Sequence, residues 1–399
     1  MGLNKNSWLL IIINTIHTII NLFYSTFLVA YFLNITNNNI IPASIFYIFT
    51  YLLLMGGFTL IGPLVKNGKK LFLYRLSFFI NAILLLLIIS LKENIIDHIW
   101  ILGLILGLEK MLYWFPQNLL ISQFANGNQI IKYTGYSYVF SGVTKIIMPV
   151  ILGYLITLNS FTNTAIIVLI LTIIQLFLSF LLNETLSKAK KFNIKALWIL
   201  ATRREKIKNS LKIEFIKGTV LDITDILIVL YVVYMFKTNL NLGIFTSIFA
   251  ISTVVIDYIL GKYCNFKSFK RILFYSSILV ILATSYFVFD TTKLSFIIFN
   301  LIFASAGEAL RTITEINMYK ISQDKSIIVH YRPEYMALRE CVLNFGRIIG
   351  FVVIILITLI GGDYLLKYLI LCLSLILAYV GYLSIILSNQ IVNTAKQKN

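Results

Sequence analysis

Residues 307–317 read GEALRTITEIN and follow the apolar run KLSFIIFNLIFASA. In a helix, Glu308, Arg311 and Glu315 fall at i, i+3 and i+7 and share one face. Glu340, Asn344 and Arg347 fall at i, i+4 and i+7 and share another. Asp222 and Asp225 lie one turn apart, with Gly218 a turn earlier, and Glu109, Lys110, Lys145 and Arg339 complete the set. Charges inside apolar segments are costly and point to function. The chemistry open to them is of three kinds. They can hold a charged or zwitterionic solute, carry a proton, or lock helices together as buried ion pairs, as Glu308 with Arg311 or Glu340 with Arg347 would.

Proton coupling needs a carboxylate that takes up a proton when dehydrated and unpaired. Glu308 is the first candidate, because Arg311 can release it, and Glu109 is the second; Asp222 and Asp225 also sit deep enough. Lys145 and Arg347 lie near mid-span, and Arg347 offers a planar fork of donors to a carboxylate or phosphate. Asn14, His17, Asn21 and Tyr24 recur at helical spacing, so the first apolar segment shows a polar stripe. His17 is either a group that titrates near neutral pH or a structural donor. Trp114 and Gln117, near Tyr113 and Pro116, belong to the same candidate lining. Arg339 and Glu315 lie nearer a segment end and read as a gate salt bridge or as snorkelling residues.

The elements that must position these groups follow from hydropathy. The chain has 399 residues, 59% hydrophobic and 13% charged, with a mean hydropathy of +0.89. One soluble core cannot hide that much apolar surface. Apolar runs of roughly 20 residues, the length a bilayer requires, recur near 8–33, 41–62, 71–91, 98–123, 134–157, 163–183, 213–236, 241–262, 270–289, 294–318, 335–360 and 364–388. The expectation is an all-α integral membrane protein with 12 transmembrane helices. The first run is too long for a signal peptide and reads as the first span. Cys264, Cys341 and Cys372 show no pairing or metal spacing.

The net charge of +18 sits in alternate short loops, which argues against nucleic acid. Lys66, Lys69 and Lys70, then Lys132, the cluster from Lys188 to Lys208, Lys267 to Arg271, and Lys320 to Arg332 all fall on one side. The intervening loops hold few cations, so both termini are expected in the cytoplasm and the protein in the cytoplasmic membrane. The basic side should favour anionic lipids. Residues 184–212 divide the chain into 1–183 and 213–399, and 194–209 read either as an amphipathic helix on the membrane surface or as a solvated linker.

The halves look duplicated. Glu109 and Glu308, Asn118 and Asn317, and Gly62 and Gly261 each differ by 199 positions; Tyr133 and Tyr335, and Lys145 and Arg347, differ by 202. Twelve spans, inward termini, a basic middle loop and a six-plus-six repeat together resemble the major facilitator superfamily of transporters. The family's loop between spans 2 and 3 usually reads Gly-x-x-x-Asp-Arg-x-Gly-Arg-Arg. Here GPLVKNGKK keeps Gly62, Gly68, Lys69 and Lys70, puts Lys66 in place of the acid and is one residue short. The second half echoes it with Gly261, Lys270 and Arg271. In the family this loop helps to latch the inward gate, and Asp257, one turn before Gly261, is the acid available to replace the missing one. Pro149 and Gly153 are what remains of the span 5 antiporter signature.

The resemblance implies two pseudo-symmetric six-helix bundles that rock around a midplane site, a small-molecule substrate and H+ as partner. No phosphate-binding loop, catalytic-metal spacing or nucleophile motif is present, so an enzyme is not expected and neither is a cofactor. The leading expectation is a proton-coupled secondary transporter of a small polar, charged or zwitterionic solute. Export of amphipathic drugs or lipids, or a sensor or scaffold with the same fold, are the alternatives. Substrate, direction and oligomeric state are not readable.

Overall fold

The computed structural model describes residues 3–66, 68–124, 129–183, 192, 193, 195, 199, 202, 205–264, 266–322 and 325–396. The helix Phe161–Phe180 shows the solvent for which the chain is built. Its buried side includes Thr164, Thr172, Gln175 and Ser179, while Ile166, Ile170, Ile173, Ile174, Phe177 and Phe180 are uncovered. A water-soluble helix has the reverse arrangement. This one shows methyl and ring surface to lipid and turns its polar groups toward other helices. Thr172 Oγ1 accepts from Asn81 at 3.1 Å, and Gln175 Nε2 donates to the Ile13 carbonyl at 3.1 Å.

All regular structure among the described residues is helical. The long helices are α1 (Lys5–Ile35), α2 (Ile41–Lys66), α3 (Lys70–Leu91), α4 (Ile99–Phe124), α5 (Gln129–Asn159), α6 (Phe161–Phe180), α7 (Glu205–Phe236), α8 (Asn239–Tyr263), α9 (Phe266–Phe289), α10 (Lys293–Ser322), α11 (Lys325–Gly361) and α12 (Leu366–Lys396). Helix α1 contains a π-helical turn at Phe23–Leu28, and α7 is interrupted after Gly218 by a turn. Eleven stretches among the described residues are long and apolar enough to cross a membrane, so this is a multi-pass membrane protein. One of them, Lys70–Ile121, holds both α3 and α4 with a 3-10 turn at Lys92–His98 between them.

Several helices outrun their apolar segments. α7 starts at Glu205 and α11 at Lys325, well before the runs at 213 and 335. Backbone hydrogen bonding sustains a helix where hydropathy has already ended. The expected surface helix over 194–209 lies, up to Glu205, largely outside the described residues.

Contacts divide the chain into two compact units, Met1–Phe192 with Val229–Ser247, and Asn193–Ile228 with Ile248–Asn399. In the first, α1 packs on α5 and α6, and α3 on α4 and α6. In the second, α7 packs on α11 and α12, and α9 on α10 and α12. Adding six to each of these labels of the first set gives the second; the packing of α2 on α4 in the first unit has no counterpart of like extent between α8 and α10 among the described residues. The α7–α11 crossing is close because it is built on glycine. A Cβ on Gly346 would collide with the Phe215 carbonyl oxygen, and one on Gly218 with that of Leu343.

Candidate functional site

In the second unit, α7, α10 and α11 carry two charge groups of different tightness. The first joins Glu214, Lys217, Glu315 and Arg339. Lys217 Nζ lies 2.6 Å from Glu315 and 3.0 Å from Glu214. Arg339 Nη2 reaches the two oxygens of Glu315 at 2.7 and 2.8 Å, and its Nε lies 3.2 Å from Glu214. Two cations and two anions cancel within three helices. Such a group holds elements in register, and its desolvation cost offsets much of its attraction.

The second group is looser. Arg311 Nη2 lies 3.7 Å from Asp225 Oδ2, and Nη1 lies 3.7 Å from Glu308 Oε2. The Asp225 side chain is 56% exposed and that of Arg311 38%, against 0% and 10% for Glu214 and Arg339. These groups can exchange partners at a smaller loss of contact than the first. The Thr312 hydroxyl donates to Asp257 of α8 at 2.9 Å and lies 3.5 Å from Glu308 Oε1. Alongside, Asp222 pairs with Arg347, whose Nη1 donates to Asn344 Oδ1 at 2.8 Å. Asn344 Nδ2 in turn donates to the Glu340 carbonyl at 2.8 Å. The three polar faces expected from spacing therefore meet, α10 with α7 through Arg311 and Asp225 and α11 with α7 through Arg347 and Asp222.

In the first unit the polar stripe of α1 meets α4. Asn14 Oδ1 accepts from Gln117 Nε2 at 2.8 Å and from the Tyr113 hydroxyl at 3.1 Å. His17 stacks on Tyr113 with ring centroids 3.4 Å apart and meets Trp114 edge-on at 5.8 Å. Its Nδ1 lies 3.9 Å from Glu109 Oε1, and both residues are buried. Neither ring nitrogen of His17 nor Glu109 Oε1 has a hydrogen-bond partner among the described residues. Tyr24 donates to Asn81 at 2.5 Å, and Asn21 is half-buried. Lys145 is exposed on α5 and makes no hydrogen bond or ion pair among the described residues, unlike its sequence counterpart Arg347.

The gating-loop candidates separate. Gly62 packs against the Phe192 ring, Gly68 turns the chain at φ +84°, and Lys69 caps α3. Lys70 is buried and donates to Gln123 at 3.4 Å. Gly261, Lys270 and Arg271 are exposed, and Asp257 is held by Thr312. Sequence reading missed Glu214 and Lys217, although their i, i+3 spacing in KIEFIKG was the available signal. It also missed Asn81 and Gln175, single polar residues in apolar runs. Among the described residues no three of His, Cys, Asp and Glu group closely enough to hold a metal ion.

No protein-family model matches the chain. The uncharacterized protein YqgE of Bacillus subtilis (strain 168) is 22% identical over 307 residues, 75% of this chain and 70% of that one. Solved structures match almost end to end. The nucleoside transporter NupG superposes with a TM-score of 0.70 at 15% identity, covering 98% of this chain and 100% of that one. A bacterial homologue of the iron transporter ferroportin, in its inward-facing state, gives 0.67 at 12%, covering 97% and 100%. The human organic anion transporter MFSD10 gives 0.58 at 11%, covering 94% and 95%. Helix content, order and full-length superposition agree, and the chain has the fold of the major facilitator superfamily.

Proposed function

We propose that this chain is a secondary transporter that moves a small charged or zwitterionic solute across the cytoplasmic membrane by alternating access, driven by protons. The 70–121 stretch crosses twice, which makes twelve crossings in two six-helix bundles (1–183 and 213–399), with both termini in the cytoplasm. The observation that carries this reading is the loose Asp225–Arg311–Glu308 group beside Asp222–Arg347. Its long, half-exposed contacts leave both signs of charge available to a solute that brings its own. Two features support it further: the repeated helix pairing, and the resemblance to proteins that carry nucleosides, metals and organic anions. Arg311 and Arg347 take the solute's anionic group, and Glu308 or Asp225 its cationic group. The tight group at Glu214 favours a purely structural role for its own four residues and does not extend to the looser one.

The test is uptake into proteoliposomes. A panel of amino acids, nucleosides and organic ions is offered with and without an imposed pH gradient. The expected outcome is gradient-stimulated uptake of at least one solute, reduced tenfold or more by Glu308→Gln. Solute uptake that ignores both the gradient and this substitution would remove the reading.

A further inference from the structure

Among the described residues, single buried polar atoms without hydrogen-bond partners occur in both units, at Gln175 and Arg311 among others; at one place in the first unit two titratable side chains so placed face each other. His17 is 2% exposed and Glu109 1%, and they face each other from α1 and α4 at 3.9 Å. Tyr113 covers one side of the His17 ring. Yet both imidazole nitrogens and Glu109 Oε1 lack any hydrogen bond among the described residues, as does Gln117 Oε1, one turn along from Tyr113. Buried polar atoms without partners are uncommon and need a physical reason. Glu308, the carboxylate that spacing favours for proton coupling, is different. It has Arg311 and Thr312 beside it and is partly exposed.

We infer that His17 and Glu109 form a proton-binding site that holds one exchangeable proton between them. The charge balance gives the number. With no proton the pair is a neutral imidazole and a carboxylate, a net charge of −1 sealed among aromatic rings. With one proton it is either imidazole and carboxylic acid or imidazolium and carboxylate, and both are neutral. A second proton would leave a net +1. Lys110, the next residue, offsets part of that −1 but leaves α4 from a different face; burial of the carboxylate itself therefore favours the singly protonated pair. The proton comes from water when this face is wetted and returns to water when it is wetted again; no covalent bond is made or broken beyond that transfer.

The titratable and charged groups that face the pair are Lys110 and Tyr113 on α4, Tyr24 on α1 and Tyr74 on α3. Lys110 follows Glu109 directly, so it projects from a neighbouring face of α4 about 100° round the helix.

The inference rests on the transporter reading for its purpose, though its test needs no solute. The full chain in lipid nanodiscs is stepped through the neutral pH range while infrared difference spectra and proton release are recorded. The expected result is one more proton released per chain than Glu109→Gln releases, with loss of a carboxylic-acid carbonyl band as pH rises. Glu109→Gln removes that band, Glu109→Asp keeps it, and His17→Asn moves the pH at which it disappears by at least tenfold in proton concentration. Thermal unfolding of each variant separates loss of the site from loss of the fold. If Glu109→Gln left both the band and the proton count as in the parent chain, the inference would fail. It would also fail if added sodium at constant pH erased the band, since the site would then bind a metal cation instead. A band that behaves as expected in a chain that moves no solute would preserve the proton site and discard the transporter.

Discussion

Glu214 is fully buried with two cations within 3.2 Å, and its worth depends on what remains when it is changed. Glu214→Gln leaves Lys217, Arg339 and Glu315 with a net positive charge in the same space. Removing one partner of a buried pair costs about 3–5 kcal/mol, mostly because the other charge is stranded. Denaturation of the purified chain in detergent should show a loss of that size. Adding Lys217→Met to Glu214→Gln restores neutrality and should recover most of it; a double variant no better than the single one would show that the four residues do not act as a unit. The sequence made half of this group legible. Glu315 and Arg339 stood out near a segment end, as a gate salt bridge or as snorkelling residues. Glu214 and Lys217 did not, because at the head of an apolar run charges are ordinary. What distinguishes them is the 98-residue separation between Lys217 and Glu315, which only the fold closes. The same limit hid the His17–Glu109 contact: both residues were candidates, but nothing in their spacing showed that they face each other.

At the level of elements, hydropathy located the helices well and their ends poorly. The runs at 71–91 and 98–123 coincide with α3 and α4 to within a residue. The π-helical turn at Phe23–Leu28 has no breaker residue to announce it, and the turn after Gly218 sits in an apolar stretch. How helices meet is a property of small residues, and it can be tested. Gly346→Ala puts a methyl group against the Phe215 carbonyl, where neither backbone can give way without parting α7 from α11. Overpacking of this kind costs about 1–3 kcal/mol. Gly261→Ala, at a helical position with nothing within 4 Å, should leave stability unchanged or raise it slightly, since alanine favours helix over glycine. Melting curves of the two variants should separate in that order. Equal behaviour would mean that the α7–α11 crossing is not glycine-dependent.

The whole molecule combines a strongly apolar exterior with a net charge of +18 placed on alternate connections. Cations near segment ends tend to be retained on the cytoplasmic side during insertion, and the proposed orientation rests on their distribution. Under the proposed twelve alternating crossings, two positions on opposite sides test the whole arrangement at once. Lys69 lies exposed in the basic turn between α2 and α3, and Asp290 lies exposed between α9 and α10, where cations are few. Cysteines placed there singly, with Cys264, Cys341 and Cys372 replaced by serine, can be probed with a membrane-impermeant maleimide. Lys69→Cys should react in inside-out vesicles alone, and Asp290→Cys in right-side-out vesicles alone. The outcome also bears on the count of crossings. If α3 and α4 were one crossing, as a single 52-residue apolar stretch would suggest, the number of crossings between these two positions would change by one and both cysteines would label from the same side. Opposite labelling requires that the chain turn back at Lys92–His98. It would thereby place His17 and Glu109, on α1 and α4, in antiparallel helices that approach the middle of the bilayer from opposite faces.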